Sequence, residues 1–362
     1  MTDWTECPPR QAGVPERGLA RVLQLVRARG ATAQLCVLRQ GQVVLDRAVG
    51  CRPDALFWLF SASKPFVALL VHLLAQRGEL SLDDPVARYW PEFGSAGKQR
   101  ITIRQVLQHR AGLPVARTRT LDALAMPNWE HSVRCIERAS PRWPPGEVPA
   151  YHYISYGFIL GELVRRVSGA ALPEFLAAEF LQPLGLHDTY LGLPRTLWPR
   201  HVPIRGRGLP GLISQGFVNR MRTREAVIPA AGVSATARDL ARFYLALLRG
   251  GELDGVRVLQ AATIEEARRP SGNGEIDRFL RLPMRWSQGF QLGGTSDGRA
   301  ASPMGKLSSP LTFGHNGSNC CIAWADPERD LVVAYLTDIL SAGPEGARHQ
   351  AEVGDAIIAA CS

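Results

Sequence analysis

The chain has 362 residues, 46% of them hydrophobic, and a formal charge of +9. Its arginines and lysines are scattered rather than gathered in a basic run with interleaved aromatic residues, so we expect no nucleic-acid partner. The opening MTDWTECPPRQAG lacks the basic head and apolar run of a secretory signal, and no segment reaches the ~18–20 apolar residues of a membrane span. We therefore expect a cytoplasmic globular protein without a membrane partner.

The N-terminal part of the chain predicts a helix followed by a hairpin. An amphipathic pattern covers residues 16–29, and alternating patterns follow at 32–38 and 42–50. From residue 61 to about 251 the patterns are mostly helical, with stops at glycine and proline. Within this region, residues 206–211 match G-x-G-x-x-G, but no strand leads into them and Pro210 lies where a helix should open. We interpret that segment as a surface loop.

Strand patterns return near the C-terminus, at residues 288–294, 320–326 and 330–338, and a last helix is predicted at 345–360. Strands at both ends of a chain imply that its termini meet in one sheet, which the terminal helices then cover. The predicted fold class is therefore α+β, with an antiparallel sheet flanked by terminal helices and a mostly helical region.

This order of elements also predicts a division into two domains. Residues 1–60 and 275–362 would form a discontinuous sheet domain, and residues 61–274 a mainly helical one. The groove between two such parts is the expected place for an active site. The seven cysteines and eight histidines are dispersed without C-x-x-C or H-E-x-x-H, so we expect reduced thiols, no metal and no cofactor.

The stretch FSASKPF, residues 60–66, places Lys64 three residues after Ser61 at the start of an apolar helical run. A serine hydroxyl is a weak nucleophile until a base takes its proton, and residues three apart on a helix lie on one face. Pro65 is tolerated near a helix start, so the pair is predicted in the first turn. A partly desolvated lysine there favours the neutral amine, a state that arginine does not reach.

Two alternatives compete with this interpretation. Ser61 and Lys64 also fit an N-cap serine followed by a solvated lysine. A second S-x-x-K runs from Ser95 to Lys98, but it contains Gly97 and has no apolar run behind it. Nothing is therefore expected to hold the side chains of this second pair in register.

Four segments of the chain resemble the serine β-lactamase and penicillin-binding-protein superfamily, specifically its class C-like esterases, the family VIII carboxylesterases. They are FSASKPF, ITIRQVLQHRAGLP (101–114), PPGEVPAYHYISYGFILGELVRRVSG (144–169) and FGHNGSNCCIAWADPERDLVVAYLTD (313–338). The resemblance extends over nearly the whole chain, with the segments in the same order. It implies a β-lactamase/transpeptidase-like fold.

The resemblance also implies roles for individual residues. Ser61 corresponds to the acylated nucleophile, Lys64 to its general base, and Tyr151 to the tyrosine that carries a proton to the leaving group. A nearby lysine cation would favour the ionised form of that tyrosine. Tyr153 and Tyr156 are rival tyrosines, and the alignment of the helix that follows favours Tyr151.

The third motif is His315-Asn316-Gly317, where lactamases and peptidases commonly carry Lys-Thr-Gly. By the resemblance, these residues and Ser318 line the substrate site, and Gly317 lets a substrate carbonyl approach the backbone. The amides of Ser61 and Ser318 correspond to the oxyanion hole, whose donors stabilise the charge that develops on the attacked carbonyl.

Two departures from the family pattern bear on the substrate. Tyr153 stands where an asparagine usually binds the side-chain amide of the substrate. His315 replaces a permanent cation by a largely neutral group, which weakens the attraction for the carboxylate of penicillins and peptides. Both changes favour esters.

Trp143, Trp286 and Trp324 are candidates for an apolar acyl pocket. Cys320 and Cys321 are predicted to be buried, and a thiol as the nucleophile is a distant rival of Ser61.

We therefore predict a serine-dependent acyl transfer from a small carboxylic ester through an acyl-Ser61 intermediate. The acceptor would be water in an esterase, or an amine or alcohol in a transacylase of secondary metabolism. The alternatives are a β-lactamase or D-amino-acid peptidase and, from another class, a ligand-binding or sensor module that is acylated once or not at all. The oligomeric state stays open.

Overall fold

The computed structural model describes residues 2, 4–294, 302–341 and 344–361. The strands, in chain order, are β1 (Ala33–Arg39), β2 (Gln42–Val49), β3 (Phe57–Trp58), β4 (Thr189–Leu191), β5 (Arg205–Arg207), β6 (Val233–Ala235), β7 (Glu252–Leu253), β8 (Val256–Arg257), β9 (Gln291–Leu292), β10 (Phe313–Gly317), β11 (Cys321–Asp326), β12 (Leu331–Thr337) and β13 (Ile339–Ser341). The α-helices are α1 (Glu16–Ala28), α2 (Lys64–Gln76), α3 (Ile103–Leu107), α4 (Arg119–Ala125), α5 (Trp129–Arg138), α6 (Ser155–Ser168), α7 (Leu172–Leu176), α8 (Gly208–Val218), α9 (Met221–Glu225), α10 (Ala237–Leu248), α11 (Ala261–Arg268) and α12 (Pro344–Ala360).

The two ends of the chain meet in one six-stranded sheet with the order β2-β1-β12-β11-β10-β9. All its neighbouring pairs are antiparallel, and β1 lies against β12 with Ala33 opposite Thr337. Every residue of β11 and β12 is buried, because helices cover both faces of the sheet. The predicted α+β architecture is confirmed.

The terminal helices α1 and α12 cover one face of the sheet. They lie so close that a side chain on Gly18 would overlap Ala360. Between them and the sheet is a core that includes Val22, Ile357 and Trp324. Trp324 therefore belongs to this outer core and not to the predicted acyl pocket.

The opposite face of the sheet belongs to a larger core, to which α2, α6 and α10 contribute buried side chains. A small sheet in the order β3-β6-β4 lies beside it. A 3-10 turn, Phe60–Ser63, leads directly into α2, and β10 passes next to this turn. The site is thus positioned between β10 and the N-terminus of α2. The division of the chain into two domains stays a prediction.

The structure corrects two of the predicted elements. The strand expected at residues 288–294 is reduced to Gln291–Leu292. The segment 206–211 is not a loop, because β5 ends at Arg207 and α8 begins at Gly208. Pro210 lies in the first turn of α8, where its missing N–H has no helical partner to lose. Within the described ranges, no helix is long and apolar enough to span a membrane.

Candidate active site

Ser61 lies in the 3-10 turn, and Lys64 is the first residue of α2. The pair is therefore one turn earlier than predicted, although its side chains do meet, with 3.3 Å between Ser61 Oγ and Lys64 Nζ. Phe60, directly before the serine, has a φ of +49°, which is unusual for a residue other than glycine. This sharp turn directs the chain into α2 with the serine at the bend.

Lys64 is fully buried, and its amine contacts two backbone carbonyls besides the serine. Nζ lies 2.8 Å from the carbonyl oxygen of Tyr153 and 3.3 Å from that of Ala230. Burial lowers the pKa of Lys64 well below its ordinary value. A neutral amine has two N–H donors and one lone pair, so the two carbonyls leave that lone pair for the hydroxyl of Ser61. The alternative of a solvated lysine is therefore wrong.

Tyr151 is buried beside this amine, with Lys64 Nζ 4.7 Å from the centre of its ring. Burial raises the pKa of Tyr151 above its ordinary value, and a hydrogen bond with Ser61 opposes that rise. The resemblance implies a lysine cation that favours the ionised tyrosine, whereas burial disfavours the charged form of Lys64. The geometry instead presents a neutral phenol, which is a proton donor.

The rival tyrosines point elsewhere. The hydroxyl of Tyr156 is 3.5 Å from the carbonyl of Leu107, and burial raises its pKa as well. The ring of Tyr153 is half-buried and stacks on Phe279, with a centroid distance of 6.4 Å. The guanidinium of Arg119 lies 5.3 Å from the centre of the Tyr153 ring. Tyr153 therefore contributes its carbonyl to Lys64 and its ring to the entrance of the site.

Asp277 is a functional residue that sequence reasoning missed. Its fully buried carboxylate accepts hydrogen bonds from the backbone amide of Tyr151 (2.9 Å) and the indole of Trp286 (3.0 Å) through Oδ2. Its Oδ1 accepts from the amides of Phe279 (2.9 Å) and Leu280 (2.8 Å). Among the described residues no cation pairs with it. No motif in the sequence marks this aspartate, because its partners are 126 residues upstream and 9 downstream.

Trp286, one of the three predicted tryptophans, stacks on Tyr151 with ring centres 5.2 Å apart and an interplanar angle of 12°. His109 lies against both rings, 4.8 Å from Tyr151 and 4.6 Å from Trp286. Burial lowers the pKa of His109 far below its ordinary value, so it stays neutral and accepts the His152 amide through Nδ1. His109 lies in the recognised segment 101–114, but only the fold shows that it supports Tyr151.

His315 is buried on β10, with its ring centre 6.3 Å from that of Tyr151. Its Nδ1 is 2.8 Å from the carbonyl of Asn316, so Nδ1 carries the proton and Nε2 the lone pair. Nε2 is buried without a hydrogen-bond partner among the described residues. Burial lowers the pKa of His315 to about 3. The prediction that this position is neutral at pH 7 agrees with the geometry.

Asn316 was predicted to line the substrate site, but its side chain is engaged within the protein. Its Nδ2 donates to Asn319 Oδ1 (2.9 Å) and to Gln350 Oε1 (2.8 Å), and its Oδ1 accepts from the Asn319 amide (2.8 Å). Ser318 and Asn319 have φ angles of +50° and +57°, in the left-handed region. Asn316 therefore holds the strained turn that carries the predicted oxyanion amide of Ser318.

Gly317 also has a different use from the one expected. A side chain there would overlap the carbonyl of Leu59 and approach the amide of Ala62. The glycine thus allows β10 to pass directly against the turn that carries Ser61, and protein atoms, rather than a substrate, occupy the space.

Cys320 and Cys321 are both buried, as predicted. Burial raises the pKa of Cys320 well above its ordinary value and that of Cys321 to about 12. Their thiols contact the carbonyls of Ile339 (3.1 Å) and Trp58 (3.4 Å) respectively. A protonated, buried thiol is a poor nucleophile, which argues against cysteine chemistry.

Comparisons with known proteins show the family of this chain. The family model described as Beta-lactamase matches residues 21–356. The "Esterase/beta-lactamase LipL" of Mycobacterium tuberculosis is 31% identical over 344 residues, covering 83% of this chain and 76% of LipL.

Two solved structures show the same fold over almost the full length. The crystal structure of a family VIII carboxylesterase has a TM-score of 0.80 and 26% identity, covering 94% of this chain and 98% of that one. A penicillin-binding protein homologue from Caulobacter crescentus has a TM-score of 0.81 and 28% identity, covering 96% and 98%. The predicted β-lactamase/transpeptidase-like fold is confirmed.

Proposed function

The chain belongs to the Beta-lactamase family as a serine hydrolase of esterase type, and from that premise we propose that it transfers the acyl group of carboxylic esters through an ester on Ser61. The observation that carries the proposal is the set of partners around Lys64 Nζ, two carbonyls and the Ser61 hydroxyl. A neutral amine matches these three partners with two donors and one lone pair, because the third partner is a hydroxyl, which can donate to that lone pair as a carbonyl cannot.

In the first step Lys64 takes the proton of Ser61, and Oγ attacks the ester carbonyl. The amides of Ser61 and Ser318 stabilise the oxyanion that forms. As the bond to the alcohol breaks, Tyr151 gives its phenolic proton to the leaving oxygen, and the lysine ammonium restores it. An acceptor then attacks the acyl-Ser61 ester by the same route in reverse: Tyr151 passes its proton to Lys64 and takes the proton of the acceptor, and the Lys64 ammonium returns a proton to Ser61 Oγ as the acyl bond breaks.

The surroundings of the acyl site support a neutral ester as substrate. His315 is uncharged and offers an acceptor lone pair, so no cation stands in the place from which lactamases and peptidases bind a carboxylate. Phe279, half-buried against Tyr151, offers apolar surface for the substrate, and the buried Trp286 supports Tyr151 from another side.

The first experiment is intact-mass spectrometry after mixing with a short-chain nitrophenyl ester, in water alone and with added amines or alcohols. We expect one acyl adduct on the wild type and none on Ser61→Ala. Rapid clearance in water identifies an esterase, and clearance only with an added acceptor identifies a transacylase. Absence of any adduct and of any turnover would leave the ligand-binding module as the better explanation.

A second candidate is β-lactam hydrolysis, which is favoured by the names of the matched family and of the relative LipL. Tyr153 and the neutral His315 oppose it, because neither offers the amide or carboxylate contacts of a penicillin. Nitrocefin turnover measures it directly, and we expect a kcat/KM well below that for the nitrophenyl ester.

A further inference from the structure

Helix α8 presents its large side chains to solvent rather than to the protein. Leu209, Leu212 and Ile213 follow one another at helical spacing and are 72%, 55% and 69% exposed. Gly211 and Val218, on the opposite face, are its buried residues. Gly211 lies so close to Gly206 of β5 that neither position has room for a side chain. The helix is therefore attached through its small residues and leaves an aliphatic stripe uncovered.

Helix α4 continues this apolar surface. Ten large aliphatic side chains are exposed in the described part of the chain, and five of them lie on α4 and α8, namely Leu121, Leu124, Leu209, Leu212 and Ile213. The two helices border one open groove of about 470 Å³, in which Leu121, Leu124 and Phe217 form apolar walls. Such a concentration marks an interaction surface, because isolated apolar residues need no partner but a continuous patch does.

The rim of the groove is cationic. Arg117, Arg220 and Arg222 line it, and no carboxylate does so among the described residues. Arg117 is neutralised by Asp122 at 3.6 Å. Arg220 and Arg222 have no ion pair in the described chain, and Arg220 instead lies over the ring of Phe217 at 5.8 Å. Two unpaired guanidinium groups beside an aliphatic stripe complement a partner that is both apolar and anionic.

We propose that α4 and α8 form a docking surface for an anionic phospholipid bilayer. Exposed aliphatic residues beside unpaired arginines combine the two contributions that hold a segment in a membrane interface, buried apolar area and attraction to anionic lipids. The arginines would bind the phosphates while Leu212 and Ile213 enter the acyl region. This differs from the sequence expectation of no membrane partner, which rested on the lack of a secretory signal and of a membrane-spanning run.

The surface also borders the entrance of the active site. Helix α4 begins at Arg119, whose guanidinium covers the ring of Tyr153. A bilayer held by the same helix would present lipid-soluble esters to that entrance. This assignment of a substrate class rests on the proposed function, whereas binding to the bilayer does not depend on it.

The test is flotation with vesicles of phosphatidylglycerol and phosphatidylcholine in equal parts, against vesicles of phosphatidylcholine alone. We expect the wild type and Ser61→Ala to float with the mixed vesicles and remain largely unbound with the neutral ones. Ile213→Asp, or Leu212→Asp, should lower the partition coefficient at least tenfold. Arg220→Ala and Arg222→Ala should lower it about fivefold each, the contribution of one basic residue near an anionic surface.

Matched controls are Val256→Asp on the β7-β8 hairpin and Arg21→Ala on α1, both exposed and remote from the groove. They should float like the wild type, and every variant except Ser61→Ala should hydrolyse a water-soluble nitrophenyl ester at the wild-type rate. Wild-type protein that stays unbound, or α8 variants that float normally, would overturn the proposal. So would a dimer that forms without vesicles and is lost in Leu212→Asp, because a second copy would then cover the surface.

These readouts separate the two proposals. Turnover of the soluble ester without flotation contradicts only the docking surface, and flotation without turnover contradicts only the proposed function. When both hold, turnover of a long-chain ester dissolved in mixed vesicles should fall in Ile213→Asp while turnover of the soluble ester does not.

Discussion

Two S-x-x-K pairs with the same spacing, Ser61 with Lys64 and Ser95 with Lys98, have different surroundings in this molecule. Lys64 Nζ contacts two carbonyls and a hydroxyl, whereas Lys98 Nζ donates to three carbonyls, those of Ser95, Glu137 and Ala139. Three carbonyls require three N–H donors, which only the ammonium form has. Both lysines are buried, so their hydrogen-bond partners, rather than burial or the motif, distinguish a general base from a lysine with a structural role.

The serines differ in the same way. Ser95 Oγ donates to the carbonyl of Glu137 and does not face its lysine. Burial lowers the pKa of Lys98 to about 8, with the Glu137 carboxylate opposing the shift, so Lys98 stays protonated at pH 7. We expected nothing to hold the side chains of Ser95 and Lys98 in place. Both side chains are held, because each donates to the carbonyl of Glu137, but this arrangement does not make Lys98 a base for Ser95.

The largest effect is expected from the serines. Ser61→Ala should lower kcat/KM for a nitrophenyl ester by about 10⁴-fold or more, because the acyl intermediate cannot form. Ser95→Ala loses one hydrogen bond far from the reaction and should keep the wild-type rate. Steady-state kinetics on both variants is the measurement. A Ser61→Ala enzyme with substantial activity would mean that another group is acylated.

The lysines give the next largest effect. Lys64→Arg should lower the acylation rate about 10²–10⁴-fold, the usual contribution of a general base, since a guanidinium keeps its proton. Lys98→Arg should leave acylation unchanged, because a cation with several donors still satisfies carbonyls. Stopped-flow acylation and a thermal melt of each variant separate chemistry from folding. Equal losses in the two variants would contradict the assigned difference.

The sequence predicted the fold because local patterns and recognised segments agreed along most of the chain. Helix α1 and strands β1, β11 and β12 were predicted within one or two residues of their observed bounds. The predicted elements that were wrong are those whose structure depends on tertiary contacts. The strand at 288–294 keeps only two residues, and α8 forms because β5 pairs with β13, a partner more than 130 residues away.

The reacting groups of the site could be predicted from the sequence, but the residues that hold them in place could not. Ser61, Lys64 and Tyr151 lie in recognised motifs and converge as expected, although their roles stay predictions. Asp277 acts through contacts that no short pattern encodes. Gly317 was assigned to the substrate, whereas the structure places it against the carbonyl of Leu59, a contact between segments about 260 residues apart in sequence.

The surroundings of Ser61 and Lys64 can be tested by substituting Asp277. In Asp277→Asn an amide group replaces one acceptor oxygen and faces N–H donors, so Tyr151 and Trp286 lose their fixed position. An unsatisfied buried donor costs about 1–3 kcal/mol, and we expect kcat to fall about tenfold with KM little changed. Removal of the negative charge should also lower the pKa of Tyr151, which Asp277 raises.

The matched control for Asp277→Asn is Asp239→Asn, which removes another buried carboxylate that accepts a backbone amide, that of Asp188 at 2.6 Å. It should reduce the melting temperature without changing kcat or the pH dependence of kcat. If both variants shift only the melting temperature, Asp277 supports the fold and not the tyrosine.

The smallest effect is the pH dependence of stability, which distinguishes the two lysines directly. A lysine whose pKa is lowered by folding binds fewer protons in the folded state, so stability falls as pH is lowered from 10.5 to the folded pKa, by at most about 1.4 kcal/mol per pH unit. In the difference in stability between the wild type and Lys98→Met, this fall should end near pH 8, the pKa of Lys98 in the folded protein. Relative to Lys64→Met the fall should end at a different pH, since burial lowers the pKa of Lys64 well below its ordinary value and no carboxylate opposes it. Urea unfolding between pH 6 and 10 gives both differences, and coincident curves would show that the two amines share one protonation behaviour.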